Sequence, residues 1–84
     1  MNYNELTIAL SNKGYTFSID EFIMEGISCN VHGDYIIKYT STLYKNDKII
    51  STVTRIGCSN KSNSIRSDML VNSAASVGIN NIEK

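Results

Sequence analysis

Apolar side chains recur at helical spacing at the start of the chain and at strand spacing further along. Over the first residues, one apolar position follows another by three or four residues, as on one face of a helix. Asn2 and Glu5 have the spacing of a capping box, and Gly14 occupies the place of a left-handed C-terminal residue. The pattern predicts a first helix over residues 3–13. Its apolar face consists of Tyr3, Leu6 and Leu10.

The next segment alternates between apolar and polar residues. This period of two predicts a strand that bends at Gly26 and ends before a turn at His32-Gly33-Asp34. Ser18 and Glu21 also have capping-box spacing, so a short helix over residues 22–25 is the alternative. The alternating apolar residues are Tyr15, Phe17, Ile19, Ile27, Cys29 and Val31.

Residues 35–56 have the pattern of a β-hairpin around Asn46-Asp47. A regular ladder from that two-residue turn pairs Tyr44 with Ile49 and places one apolar row on the core face. The predicted core row is Ile37, Tyr39, Leu43, Ile50 and Ile56. The predicted outward row is Lys38, Thr40, Thr42, Tyr44, Ile49, Ser51, Val53 and Arg55. Four aromatic residues have strand spacing and are expected in the core: Phe17, Phe22, Tyr35 and Tyr39.

A second helix is predicted after a polar loop over residues 57–63. Asn63 or Ser64 can cap it, and Gly78 ends it. Its apolar positions are Ile65, Met69, Leu70, Ala74 and Val77. The predicted fold is α+β in the order α-β-β-β-α, a three-stranded antiparallel sheet with two helices on one face. Residues 1–79 would form one domain, and residues 80–84 a frayed tail.

Composition and charge narrow the classes of function. The chain has 84 residues, 42% of them hydrophobic, which suits a single folded domain. Eight basic and eight acidic residues cancel, so no overall field attracts nucleic acid or membranes. Without an apolar span or a signal-like start, we expect a cytoplasmic protein. Asn, Ile, Lys and Tyr supply 33 of 84 residues, which indicates an AT-rich genome such as that of a low-GC bacterium or its phage.

Candidate chemistry is sparse. His32 is the only histidine, and no serine, cysteine or carboxylate stands at a catalytic spacing from it. Cys29, His32 and Cys58 would give three metal ligands without a fourth. We therefore expect no enzymatic activity, no metal and no cofactor. Two cysteines without a secretion signal are more often reduced than bridged.

The element order and spacing resemble those of the double-stranded-RNA-binding domain. The resemblance covers most of the chain: a first helix, a hairpin with a short turn, and Gly57-Cys58-Ser59-Asn60-Lys61 leading into an alanine-containing helix. That family grips phosphates at the start of its last helix. The resemblance therefore implies a nucleic-acid-binding module that uses Lys61 and Arg66.

A small, neutral chain with an uncovered sheet face also resembles the host-directed proteins of bacteriophages, among them the anti-CRISPR proteins. That resemblance implies a non-enzymatic inhibitor that sterically blocks a host defence protein or ribonucleoprotein complex in the host cytoplasm. Tyr44, Ile49 and Val53 would then be apolar anchors. Lys38, Lys48 and Arg55 would set the register against an acidic surface. The exposed face also allows self-association, so the protein would be a monomer or a homodimer.

Overall fold

The computed structural model describes residues 2–28 and 35–79. Three strands form one antiparallel sheet in the order β1-β2-β3, so β2 is the central strand. The order α-β-β-β-α and the α+β class are confirmed. The elements are α1 (Tyr3–Asn12), β1 (Tyr15–Ser28), β2 (Tyr35–Lys45), β3 (Lys48–Cys58), a 3₁₀ turn (Ser59–Lys61) and α2 (Ser62–Ser76).

The predicted caps of α1 are present. The Asn2 side chain accepts a hydrogen bond from the Glu5 backbone N–H at 2.8 Å, and the Glu5 carboxylate accepts one from the Asn2 N–H at 2.9 Å. Leu6 and Leu10 are buried, as their spacing predicted. Gly14 has a φ of 86°, a left-handed conformation that glycine adopts without strain. Local signals therefore set both ends of the first helix.

Residues 15–28 form one continuous strand, so the strand prediction is confirmed and the alternative helix over residues 22–25 is wrong. The pairing of β1 with β2 is regular as far as Met24 and irregular between Met24 and Ser28, around the predicted bend at Gly26. The predictions for Cys29, Val31 and the turn over residues 32–34 lie outside the described residues.

The hairpin turn is confirmed, but the ladder beyond it differs from the prediction. Asn46 and Asp47 have φ of 52° and 63°, as a two-residue turn of type I′ requires. Tyr44 pairs with Ile49 as predicted, and the next pair is Leu43 with Ser51. Ile50 is thus an extra residue in a β-bulge, and every later residue of β3 is displaced by one position. The predicted pairing of Lys38 with Arg55 is wrong, since Lys38 faces Ile56.

Both helices cover the same face of the sheet. Alternate residues of β2 from Ile37 to Leu43 are buried there, while their neighbours are exposed or half-buried. Leu6 and Leu10 of α1 contact Leu43 and α2 at one end of this face. Near the other end, four side chains form a second cluster: Ile37, Tyr39, Ile65 and Met69. The core therefore lies between β2 and the two helices.

Tyr39 fixes the start of α2 on the sheet. Its ring is fully buried, and its hydroxyl lies 2.6 Å from the Ser62 Oγ. Ser62 Oγ also donates to the Ser59 carbonyl at 2.9 Å, and the Tyr39 hydroxyl lies 3.5 Å from the Cys58 carbonyl oxygen. Helix α2 begins at Ser62, and the capping roles predicted for Asn63 and Ser64 are wrong because both lie inside the helix.

The rest of α2 follows the prediction. Its buried residues include Ile65, Met69, Leu70 and Ala74, and the chain leaves the helix at Gly78 with a φ of 87°. Gly57 of β3 allows α2 to approach closely, since a Cβ there would overlap the Ile65 Cδ1.

Cys58 ends β3 opposite Ile36, at the end of the sheet where β1 also finishes. The sequence favours a reduced thiol here. In the structure Cys58 is disulfide-bonded, so this expectation is wrong. Cys29, the other cysteine of the sequence, lies outside the described residues.

Candidate interaction surface on the open sheet face

The sheet has a second face that neither helix covers. It carries the side chains that alternate with the buried row of β2, together with their cross-strand partners. We call this surface the open face. Its residues are Thr16, Ser18, Asp20, Phe22 and Met24 of β1, Ile36, Lys38, Thr40, Thr42 and Tyr44 of β2, and Ile49, Ile50, Thr52, Thr54, Ile56 and Cys58 of β3.

One end of the open face is apolar around a single cation. Phe22 faces Lys38, and Lys38 faces Ile56, so the three side chains form one row across the sheet. Phe22 is 70% exposed and Ile56 is 61% exposed. Ile36 adjoins this row on β2 and is half-buried. We call these four residues, Phe22, Ile36, Lys38 and Ile56, the anchor patch.

The middle of the open face is a band of hydroxyl groups. Thr40 pairs with Thr54, and Thr42 pairs with Thr52. Ser18 of β1 continues the second of these rows, and Asp20 continues the first. The threonine and serine side chains make this band polar. Among the residues that form the open face, the charged ones are Asp20, at the β1 end of the band, and Lys38, beside it.

The hairpin end of the open face holds a shallow groove of about 450 Å³. The turn between α1 and β1 and the hairpin turn at Asn46-Asp47 line this groove, and Tyr44 lies between them. Ile49 pairs with Tyr44 and is 64% exposed. This end combines an aromatic ring with backbone-rich turns. The lining residues are Gly14, Thr16, Tyr44, Asn46 and Asp47.

The structure divides the partner-binding residues predicted from the sequence between two faces. Lys38, Tyr44 and Ile49 lie on the open face as predicted. Val53 and Arg55 lie on the helix-covered side, because the bulge at Ile50 reverses the direction of the later side chains. Lys48, beside the turn, pairs with Lys45 and is also off the open face.

Arg55 has a partner on that helix-covered side. Its Nη1 lies 3.8 Å from the Asp68 Oδ2 of α2, in an exposed ion pair. Val53 faces the buried Ser41 and keeps 44% of its surface exposed. Neither residue therefore belongs to the surface that the sequence assigned to it.

Two aromatic residues expected in the core are instead exposed. Phe22 is 70% exposed and Tyr35 is 56% exposed, so their predicted packing role is wrong. Tyr39 is fully buried and Phe17 packs against the core, so those two predictions are confirmed. Phe22 and Ile56 are the site residues that the sequence pattern missed. The one signal of the bulge was the doublet Ile49-Ile50, which breaks the alternation beside the turn.

The two cations of the nucleic-acid hypothesis have different surroundings. Lys61 ends the 3₁₀ turn and is exposed. Arg66 is held by Glu21 of β1: Nε donates to Oε2 and Nη2 to Oε1, both at 2.8 Å. Its Nη1 also donates to the Asn63 side chain at 3.2 Å. The hydrogen bonds to Glu21 raise the pKa of Arg66. Its charge therefore serves to join α2 to β1.

Tyr3 of α1 borders this ion pair. Together with Asn63, Arg66 and Ser67 it lines a cavity of about 300 Å³ between the two helices. Partial burial raises the pKa of Tyr3, and the Arg66 charge opposes that rise. The cavity is small and lies on the helical side, away from the open face.

The described residues define the protein as a small α+β domain with one open sheet face. Within them, no helix is long and apolar enough to cross a membrane, and no three His, Cys, Asp or Glu side chains are grouped as metal ligands would be. The candidate ligands Cys29 and His32 lie outside the described part of the chain. Comparisons with protein families, curated proteins and solved structures find no match.

Proposed function

We propose that this protein is a phage-encoded, non-enzymatic inhibitor that binds a host defence protein or ribonucleoprotein complex in the cytoplasm and blocks it sterically. The observation that carries the proposal is the anchor patch. An aromatic and an aliphatic side chain, 70% and 61% exposed, flank a lysine on a face that the described residues leave uncovered.

The composition of this face suits binding to a protein. Interface centres are rich in aromatic and aliphatic groups and poor in charge, and a few buried anchors supply most of the binding energy. Phe22 and Ile56 have the required exposure, and Lys38 between them would select an acidic partner surface. The hydroxyl band beside them offers neutral hydrogen-bonding groups at the margin of the contact.

A steric mechanism needs a rigid platform, and this platform is supported from behind. The open-face residues of β2 alternate with buried residues, of which Ile37, Tyr39 and Leu43 pack in clusters with helix side chains. The Tyr39–Ser62 hydrogen bond and the Glu21–Arg66 ion pair connect α2 to the sheet. Binding would therefore require little ordering of the sheet, which lowers its entropic cost.

The proposal is tested by capture from a low-GC bacterium that carries active defence systems. Tagged protein is used with and without nuclease treatment, and retained proteins are identified by mass spectrometry. The test variant is Phe22→Ala with Lys38→Ala. The matched control is Ile8→Ala with Lys13→Ala, which removes an exposed isoleucine and a lysine at α1 and its C-terminal cap.

We expect the wild type and the control variant to retain a defence component both with and without nuclease treatment. The test variant should not retain it. Purified wild-type protein should then inhibit that component, and the test variant should not. Equal retention by the test variant would contradict the assignment of the surface. Retention that disappears with nuclease would favour the alternative, a nucleic-acid-binding module, or a ribonucleoprotein target whose RNA forms part of the bound surface. Mutagenesis of Lys61 would then distinguish the two, since only the module uses this residue.

A further inference from the structure

Strand β3 is an edge strand with an open outer side. In the described part of the chain it pairs only with β2, so the backbone N–H and C=O groups of its other edge have no strand partner there. Every residue from Thr52 to Ile56 is exposed. Natural proteins usually protect such edges with proline, short length, a bulge or several charges. The bulge of β3 lies at Ile50 near the turn, and residues 51–58 pair regularly with β2. Over its 11 residues β3 contains no proline, and only Lys48 and Arg55 are charged.

The sequence of β3 is close to a palindrome about Val53. Between Ile50 and Ile56 the side chains of β3 on the open face are Ile50, Thr52, Thr54 and Ile56, which read the same in both directions. If a second copy of the strand pairs antiparallel with Val53 on a two-fold axis, identical residue types face each other on the open face. Threonine then faces threonine, and isoleucine faces isoleucine. Such like pairs stabilise antiparallel strands.

The charges of β3 also permit this pairing. About the same axis Arg55 faces Ser51 of the second copy. The two arginines are then about 13 Å apart along the strands, farther than the screening length in physiological salt. The other edge, β1, is less suitable because Asp20 and Glu21 are adjacent on it, and symmetric pairing would concentrate carboxylates.

We infer that two copies of this protein associate through their β3 edges, antiparallel about Val53, to form one six-stranded sheet. The partner is a second copy of the chain, and recognition consists of main-chain hydrogen bonds with Thr–Thr and Ile–Ile contacts on the open face. The open faces of the two copies then become continuous. This inference does not depend on the identity of any host target.

The experiment introduces a charge at Val53, because the two-fold axis places Val53 of one copy opposite Val53 of the other. Val53→Lys and Val53→Glu each put like charges together in a homodimer, and an equimolar mixture puts opposite charges together. Val53→Thr is the control, since it keeps a β-branched side chain without charge. Sedimentation equilibrium from micromolar to millimolar concentration measures the mass, and circular dichroism checks folding.

We expect the wild type and Val53→Thr to approach twice the 9.3 kDa of the chain as concentration rises. Each charged variant alone should dimerise about tenfold more weakly or worse, and the mixture should recover the dimer. A wild type that stays at the mass of one chain would overturn the inference. So would charged variants that dimerise as well as the wild type.

Amide hydrogen exchange of the wild type gives a second measurement that needs no substitution. Dimerisation through β3 predicts that exchange of its outward-facing amides slows with protein concentration, while the β1 edge is unaffected. Protection of β1 in place of β3, or protection independent of concentration, would contradict the proposed pairing even if the charged variants did not fold.

Discussion

Replacing Phe22 by alanine separates a surface role for this ring from a role in the core. A Phe→Ala change at a fully buried site costs about 3–5 kcal/mol of unfolding free energy. Phe22 is 70% exposed, so about a third of that cost applies, which is about 1 kcal/mol. The lower strand propensity of alanine adds up to about 1 kcal/mol. Phe22→Thr retains strand propensity and isolates the first contribution.

The reference is Leu43→Ala on the central strand. Leu43 is 1% exposed, and its truncation should cost about 2–5 kcal/mol. Urea unfolding followed by circular dichroism at 25 °C gives all three values. If Phe22→Ala costs more than about 3 kcal/mol, or as much as Leu43→Ala, the ring is part of the core and the anchor patch does not exist as described. If the loss is small, the same variant serves in binding assays as a folded protein.

Three further predictions concern the contacts between the helices and the rest of the fold. Gly57→Ala introduces a Cβ that overlaps the Ile65 Cδ1, so urea unfolding should show a loss of about 1–3 kcal/mol. A double-mutant cycle of Glu21→Gln and Arg66→Gln should give a coupling energy of about 0.5–1 kcal/mol, since the pair is bidentate but partly exposed. The raised pKa of Tyr3 means that the unfolded chain ionises this residue first, so stability should fall as pH rises above about 10, and Tyr3→Phe should reduce that fall.

Each of these has a clear contrary result. A neutral Gly57→Ala would mean that the Ile65 side chain moves aside for the added Cβ, so that glycine is not required at this position. A coupling energy near zero would mean that the Glu21–Arg66 pair does not stabilise the contact between α2 and β1. If wild type and Tyr3→Phe lose stability in parallel between about pH 9 and 11, Tyr3 is not buried enough to matter, and its place between the helices needs revision.

The elements that the sequence predicted correctly depend on local interactions. The capping box of Asn2 and Glu5, the left-handed Gly14 and the turn at Asn46-Asp47 each involve residues a few positions apart. The core side chains of the two helices follow from helical periodicity. The predicted start of α2 is wrong because it depends on a contact between residues distant in sequence. Tyr39 of β2 forms a hydrogen bond with Ser62, where the helix begins.

The register of β3 was not predictable from its pattern. Hydrophobic alternation sets a register only where one face is buried, and β3 is exposed on both faces over most of its length. Its side chains toward the helices include Val53 and Arg55, whereas Ile56 points outward, so the more apolar face is the uncovered one. A single bulge at Ile50 therefore places two of the six predicted residues, Val53 and Arg55, on the helix-covered side. Lys48 precedes the bulge and is off the open face because it pairs with Lys45. Half of the candidate surface, Lys38, Tyr44 and Ile49, was identified because those residues lie on β2 or before the bulge.

The Arg66–Glu21 pair joins residues 45 positions apart, and no sequence motif predicts it. Only the fold shows that this arginine is already bound to a carboxylate. The same holds for Phe22 and Ile56, which become neighbours of Lys38 through pairing on both sides of β2.

We propose that the protein inhibits a host defence system by binding one of its components through the anchor patch. This proposal is tested most directly by a plasmid-interference assay in a low-GC bacterium whose RNA-guided defence targets the plasmid. Expression of the wild type, and of Ile8→Ala with Lys13→Ala, should restore transformation to the level of an untargeted plasmid. Phe22→Ala with Lys38→Ala, expressed to the same level, should leave interference intact. Restoration by that variant equal to the wild type would contradict the account.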